Sequence, residues 1–296
     1  MIADNTRNIR MELDSIVIES LGVDGFHRQH HWAVPMMWWE MTFGALGAGI
    51  YISGIFSNSW PVAVLGFMIF VVGKGLLLLF DLGRPERAWR VFARPGTSWI
   101  ARGSWIFAVF GVSGVVALGL DWIASDAVTA IRVSEALSVL AAGVLLVYDG
   151  FFLMESKGVG GWHSGALAPY FGAGGVLAGA AVATAWEQST GPTVIALGIG
   201  AGVIGLWCGY AYLADLRSGP KGAAVSARIL MSELRWNFLG LGFVVGIVLP
   251  LAFFVAAAAT VEIPQWIWAV VAVAGAVGVY STRKSILKAG VYSEML

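Results

Sequence analysis

The chain has 296 residues, 58% of them hydrophobic and only 12% charged, with 18 basic and 18 acidic side chains that cancel to a net charge of zero. An average soluble domain carries about 25% charged residues. The composition therefore excludes an ordinary soluble enzyme, a disordered chain and a nucleic-acid binder that relies on excess basic charge. It describes an all-α integral membrane protein.

Residues 1–32 form a polar N-terminal segment that includes Arg7, Arg10, Glu12, Asp14, Glu19, Asp24 and Arg28. No apolar stretch there precedes a small-residue cleavage site, so no cleavable signal peptide is expected. From 33 to 282 the hydropathy is nearly continuous, broken at intervals by turn residues or charge. A helix needs about 20 apolar residues to cross a bilayer. Eight runs meet that need: 33–56, 60–80, 100–121, 132–156, 164–186, 193–215, 235–259 and 264–282, followed by a tail at 283–296. Backbone groups in lipid must be satisfied within the segment, and the runs do not alternate as barrel strands would, so helices are predicted.

Eight of the tryptophans (Trp32, Trp60, Trp99, Trp122, Trp162, Trp186, Trp236 and Trp266) fall near the ends of these runs. Amphipathic indoles prefer that depth. Small residues four apart, as in Gly175–Gly179, Gly198–Gly202, Gly205–Gly209 and Gly242–Gly246, mark faces where helices approach closely. No convincing internal repeat is evident.

Eight spans place both termini on one face, together with the loops after the second, fourth and sixth spans. That face carries 16 of the 18 Lys and Arg residues; Arg132 lies on the other and Lys74 inside the second span. The excess of positive charge predicts that the terminal face is cytoplasmic.

Ionisable groups inside spans are costly and are functional candidates by default. Here they are Glu40, Lys74, Asp149, Glu135 and Glu155. Glu135 and Glu155 stand close to span ends. Lys74 and Asp81 are two helical turns apart and share a stripe. A polar pocket open to the terminal face would gather Glu40, Lys74, Asp81 and the Tyr148–Asp149 pair, with His27, His30 and His31 at its rim. Such a set suits proton-coupled redox chemistry and also suits a transporter. The four histidines, the fourth being His163, all lie outside span centres, which argues against a bis-His haem. Cys208 is the single cysteine and cannot supply an iron–sulfur cluster.

The stretch from Leu79 to Trp89, with its Asp81-Leu82-Gly83-Arg84-Pro85-Glu86-Arg87-Ala88-Trp89 core, continues to a Ser98-Trp99-Ile100-Ala101-Arg102-Gly103-Ser104-Trp105 helix start. Together these resemble the hallmark of the NrfD/PsrC family, the DMSO-reductase-type membrane anchors of polysulfide, nitrite, formate and related oxidoreductase complexes. Gly44 to Gly49, Tyr148 with Gly150-Phe151, Trp162 to Pro169, and Leu287 to Tyr292 extend the likeness over nearly the whole chain. The resemblance implies eight transmembrane helices in two four-helix bundles. It implies a haem-free subunit that exchanges electrons between an iron–sulfur partner, often joined to a molybdopterin catalytic subunit, and a quinone (menaquinone or ubiquinone). It places the quinone at Tyr148 and His30 or His31; the charges beside them add Asp81, Arg84 and Arg102 as expected quinone contacts and Glu40, Lys74, Asp149 and Glu155 as an expected proton relay. Arg87, Arg90 and Arg94 then form a positive docking patch. The family commonly has Thr where this chain has Asp149. A bacterial cytoplasmic membrane is the expected location. The rival class is a proton- or ion-translocating, transporter-like subunit with no redox role of its own.

Overall fold

The computed structural model describes residues 27–29, 33–82, 85–93, 95–96, 98–187 and 191–292. Its long helices are α1 (Pro35–Phe56), α2 (Trp60–Asp81), α3 (Trp99–Ile123), α4 (Val128–Met154), α5 (Leu167–Glu187) and α6 (Pro192–Ser218). A short α7 (Lys221–Met231) precedes α8 (Trp236–Ala258) and α9 (Gln265–Lys288). Local chemistry sets several starts. Pro35 and Pro192 occupy first-turn positions where a missing N–H costs nothing. Ser98 caps α3, its hydroxyl accepting from the Ala101 N–H. Two helices contain π-helical stretches, Ile69–Lys74 in α2 and Trp236–Val248 in α8.

Seven helices, α2 to α6, α8 and α9, are long and apolar enough to cross a membrane. The first predicted span, α1, is not among them, although it has 22 residues. The reason is its place. Fourteen of its residues are buried, and it packs on α2, α4, α5 and α9. A helix surrounded by protein needs small side chains for close packing more than it needs lipid-compatible ones, so Gly44, Gly47, Gly49 and Gly54 lower its hydropathy. The same holds for α5, with 15 of 21 residues buried.

The eight long helices form two groups of four. In the first, α1, α2, α3 and α4 close a ring; in the second, α5, α6, α8 and α9 do so. The groups meet where α1 crosses α5. A Cβ on Gly49 would strike the Gly175 carbonyl, one on Gly175 the Ala45 carbonyl, and one on Gly179 the Gly49 carbonyl. Rising residue numbers face rising residue numbers, so the two helices run parallel. Gly44-Ala45 with Gly47 thus stands at a depth similar to Gly172-Ala173 with Gly175. Gly198 and Gly202 seat Phe254 and Leu251 of α8 in the same manner.

One face is closed by a small polar layer. Strand β1 (His27–Arg28) pairs antiparallel with β2 (Val291–Tyr292), and Val159 bridges Tyr292. The 3₁₀ turn Gly160–Trp162 and α7 pack beneath them. Trp162 is therefore not an interfacial anchor: it is fully buried, and its indole N–H donates to the Ile286 carbonyl. The tail prediction also shifts, since α9 runs to Lys288 and carries Arg283 into the interior. Trp122, Trp186, Trp236 and Trp266 remain exposed at helix ends, as amphipathic indoles should.

Candidate functional site

The charged centre is built by three helices of the first group. Glu40 stands in the second turn of α1, Lys74 ends the π stretch of α2, and Asp149 lies near the end of α4. All three are buried, Lys74 with only 4% exposure. The Lys74 ammonium donates to Asp149 Oδ1 at 2.9 Å and lies 2.5 Å from Glu40 Oε1. Gly44 makes this possible: a Cβ there would meet the Lys74 side chain at 2.9 Å. A π turn, common at functional sites, loosens the ladder where the long side chain turns inward.

The centre forms one end of a cavity of about 640 Å³. Glu40, Lys74, Asp81, Tyr148 and Asp149 all line it, so the structure brings these five together. The rest of the wall is mainly apolar, including Met37, Met41, Phe107, Leu145 and Phe152. Leu76, Leu79 and Ile100 of α2 and α3 line it as well, and all three are also exposed on the outer surface of the helices. The cavity is thus bordered by membrane-facing residues on that side.

Its roof is the 3₁₀ helix Pro85–Ala93. In such a helix residues i and i+3 are eclipsed. Ala88 and Val91 face the cavity, while Arg87 and Arg90 are exposed. Arg102 ties the following turn down. Its guanidinium donates to the Pro95 and Gly96 carbonyls at 2.9 and 2.8 Å and lies over the Trp99 ring. The Trp105 indole donates to the Phe92 carbonyl at 3.1 Å. Arg102 is therefore an anchor of the roof and is not among the residues that line the cavity.

Tyr148 stands one residue before Asp149 on α4. Its ring lines the cavity, stacked with Phe152 at 6.0 Å, over Gly103, where any Cβ would collide with the phenol. Its hydroxyl donates to the Trp99 carbonyl at 3.0 Å. The proton is thus committed to the protein, and the oxygen lone pairs are what it offers a ligand. Glu155 caps α4, is exposed and stands outside the cavity, so it does not join the predicted relay. His27 sits in β1 and His163 after the 3₁₀ turn, neither at the cavity wall. The calls on His30, His31, Arg84 and Arg94 fall outside the described residues.

One buried charge escaped the sequence reading. Arg283 is 1% exposed; it donates to the Val279 and Phe171 carbonyls, each at 3.2 Å, and lies over the Phe171 ring. Ending the last span at 282 assigned it to a solvated tail. The helical spacing of Val279, Arg283, Ile286 and Leu287, which puts the arginine on an apolar stripe, was the available signal that the helix continues inward. Lys74 and Arg283 are the fully buried cations among the described residues, against Glu40 and Asp149 as the buried carboxylates.

Comparison of the chain with protein-family models and with curated protein sequences finds no match to either.

Proposed function

We propose that the chain is the haem-free quinone-reactive membrane subunit of a multisubunit oxidoreductase, working with an iron–sulfur partner and a molybdopterin catalytic subunit. The observation that carries this reading is the cavity itself: an apolar chamber bordered by membrane-facing side chains and ending on a buried carboxylate–ammonium–carboxylate cluster. A lipid-soluble ring with polar ends fits that division of polarity. Met37, Met41, Phe107 and Phe152 would hold such a ring, and Glu40, Lys74 and Asp149 would meet its polar edge.

The bound quinone supplies two-electron, two-proton chemistry. The residues of this chain supply position and proton traffic. Glu40 and Asp149 would accept protons at Oε2 and Oδ2, the carboxylate oxygens not bonded to Lys74, when quinol is oxidised and return them when quinone is reduced. Lys74 stays bonded to both and keeps the cluster in register. Tyr148 accepts at Oη from a quinol hydroxyl while holding the Trp99 carbonyl. The roof covers the cavity with Ala88 and Val91, and its outward arginines Arg87 and Arg90 offer charge to an acidic partner.

In this reading α1 is an eighth span. Support comes from the strand layer, where residues 27–28 and Val159 lie on one face, which requires an even number of crossings between them. The family resemblance makes the bacterial cytoplasmic membrane the proposed location, and the basic residues gathered on that face support cytoplasmic termini.

Titration of the purified chain with a short-chain quinone, followed by quenching of Trp fluorescence, tests the assignment. Saturable quenching is expected, with loss of saturation in Leu145→Trp, which fills the cavity and leaves the charged cluster in place. Unsaturable quenching that is the same in both proteins would refute it.

A further inference from the structure

The face opposite the strand layer holds a second, smaller cavity. It lies where α1 and α3 end and α2 and α4 begin, and its volume is about 170 Å³. One water needs only about 10–15 Å³ of such space, so the cavity has room for a small polar group. Its wall is polar where that of the first cavity is mainly apolar: Ser59, Asp121, Arg132 and Glu135 all line it. Ser59 is 4% exposed and stands at the N-cap of α2. A serine there ordinarily accepts from the N–H two or three residues on. Pro61 has no N–H to give, the Val62 N–H is not used, and Ser59 Oγ is left buried without a partner. An orphaned hydroxyl costs free energy that a bound group recovers.

The charges of the wall are of both signs. Arg132 donates through Nη1 to Glu135 Oε2 at 2.9 Å, which leaves most of its N–H groups and Glu135 Oε1 uncommitted. An exposed pair one helical turn apart contributes little to stability. Asp121 has no ion pair or hydrogen bond through its side chain among the described residues. Two carboxylates against one guanidinium favour a cation, and the guanidinium beside them favours an anion. A zwitterion with its two charges a short linker apart meets both. The surroundings say where that zwitterion comes from. Val128 of the wall is exposed, as are Trp122 and Ile123 beside it at the end of α3. Trp60, also in the wall, stacks on Trp122 at 5.0 Å. Indoles at helix ends mark the depth of lipid headgroups.

We propose that this cavity binds the headgroup of a phosphatidylethanolamine lipid. The primary ammonium donates to Asp121, to Glu135 Oε1 and to Ser59 Oγ, and the phosphate accepts from Arg132. The three N–H groups of the ammonium thus meet three acceptors, two of them charged. The acyl chains run past Val128 and Trp122 into the bilayer. A quaternary choline headgroup has no N–H and leaves Ser59 Oγ unpaired; a glycerol headgroup brings no cation to the carboxylates. The same arrangement accounts for Arg132, the one Lys or Arg that the sequence places on this face. Positive charge is otherwise gathered on the opposite side, and the phosphate gives this arginine its counter-ion.

The test is native mass spectrometry of the full chain, delipidated in detergent and titrated with dioleoyl phosphatidylethanolamine, phosphatidylcholine or phosphatidylglycerol. The first equivalent of phosphatidylethanolamine is expected to bind about tenfold more tightly than either of the others, the worth of one charge-assisted hydrogen bond. Asp121→Asn should bring it down to the phosphatidylcholine level, and Arg132→Gln should weaken all three lipids. Asp126→Asn, which changes a carboxylate of the same loop outside the cavity wall, should leave the preference as it is. Equal binding of the three lipids by the native chain, a preference that survives Asp121→Asn, or one lost equally in Asp126→Asn would overturn the site. Soluble phosphoethanolamine carries the same headgroup without the chains and is expected to compete only at far higher concentration than the lipid. If it binds and the lipid does not, the lipid assignment is overturned.

Discussion

Replacing Lys74 by Met tests the energetics of the charged cluster most directly. In the native protein one ammonium serves two carboxylates, at 2.9 Å and 2.5 Å. Each attraction is worth about 4 kcal/mol at 4 Å between charge centres with an effective dielectric constant of 20. Burial of each ion costs several kcal/mol in return, so the cluster as a whole contributes little net stability. Lys74→Met breaks this balance. It leaves two buried carboxylates without their counter-charge, a loss of about 3–5 kcal/mol by comparison with other broken buried pairs. At about 2–4 °C per kcal/mol for chains of 150–250 residues, the apparent Tm falls by roughly 6–20 °C. The triple variant Glu40→Gln, Lys74→Met, Asp149→Asn removes all three charges and is expected to recover most of that loss. Thermal unfolding in detergent, read by the Trp signal, measures both. If the triple variant is no more stable than Lys74→Met, the penalty is lost packing around the lysine stem and the electrostatic argument is wrong.

Three other outcomes follow from the geometry. Gly49→Leu places a side chain on the Gly175 carbonyl at the α1–α5 crossing; the two helix groups should separate, with loss of the monodisperse species on size exclusion, while Gly111→Leu, at a site with open space, is tolerated. Arg283→Met should destabilise by about 1–3 kcal/mol and less so in an Asp149→Asn background, because both changes act on one balance of buried charge; a double-mutant cycle in thermal unfolding reads the coupling, and strict additivity would show that Arg283 acts only through the Val279 and Phe171 carbonyls. Arg102→Ala releases the Pro95 and Gly96 carbonyls, so limited trypsin digestion should cut faster at Arg87 and Arg90 with the bundle intact; an unchanged cleavage rate would show that the Trp105–Phe92 bond suffices to hold the roof.

The parts of this architecture that depend on contact with lipid were legible in the sequence, since lipid imposes a residue-by-residue requirement. Helices α3, α4, α6 and α8 follow the predicted runs closely, with ends shifted by a few residues. Contacts among helices impose a looser pattern. Nothing in the run 33–56 distinguishes a central helix from a lipid-facing one except its glycines, and the parallel relation of α1 to α5 rests on matches such as Gly47 with Gly175. For the site, the expense of a membrane-buried charge made Glu40, Lys74 and Asp149 conspicuous, and helical spacing brought Asp81 and Tyr148 into their company. The same logic failed for Arg283, whose neighbours Lys284 and Lys288 gave the segment the look of a solvated tail. For Arg102 and Tyr148, hydrogen bonds to the backbone carbonyls of Pro95, Gly96 and Trp99 add contacts that no side-chain pattern announces.

The two helix groups pose one further physical question: why the buried carboxylates reside in only one of them, while the other holds Arg283 against backbone carbonyls. Both have the same helix order, both are entered by a glycine-rich first helix, and both contain a π stretch. The difference lies in what fills the axis. In the second group, Tyr212 with Phe238 and Phe254 with Trp268 occupy the space between helices, and Ile247 lies against Gly205 between them. In the first, Gly44 yields its volume to Lys74 and Gly103 to Tyr148, so the side chains that enter are polar or border a cavity. A packed apolar axis stabilises the assembly by burial and dispersion, whereas a chamber forfeits those contacts and adds ions that must be desolvated. The second group thus supplies the rigid packing that a hollow, charged first group lacks, and the α1–α5 glycine crossing transmits that support. It follows that enlarging the second axis, as in Phe254→Ala, should loosen the charged cluster as well: about 3–5 kcal/mol lost to the cavity, accompanied by greater solvent exchange of α1 amides near Glu40. Exchange confined to α6, α8 and α9 would show that the two groups are energetically independent.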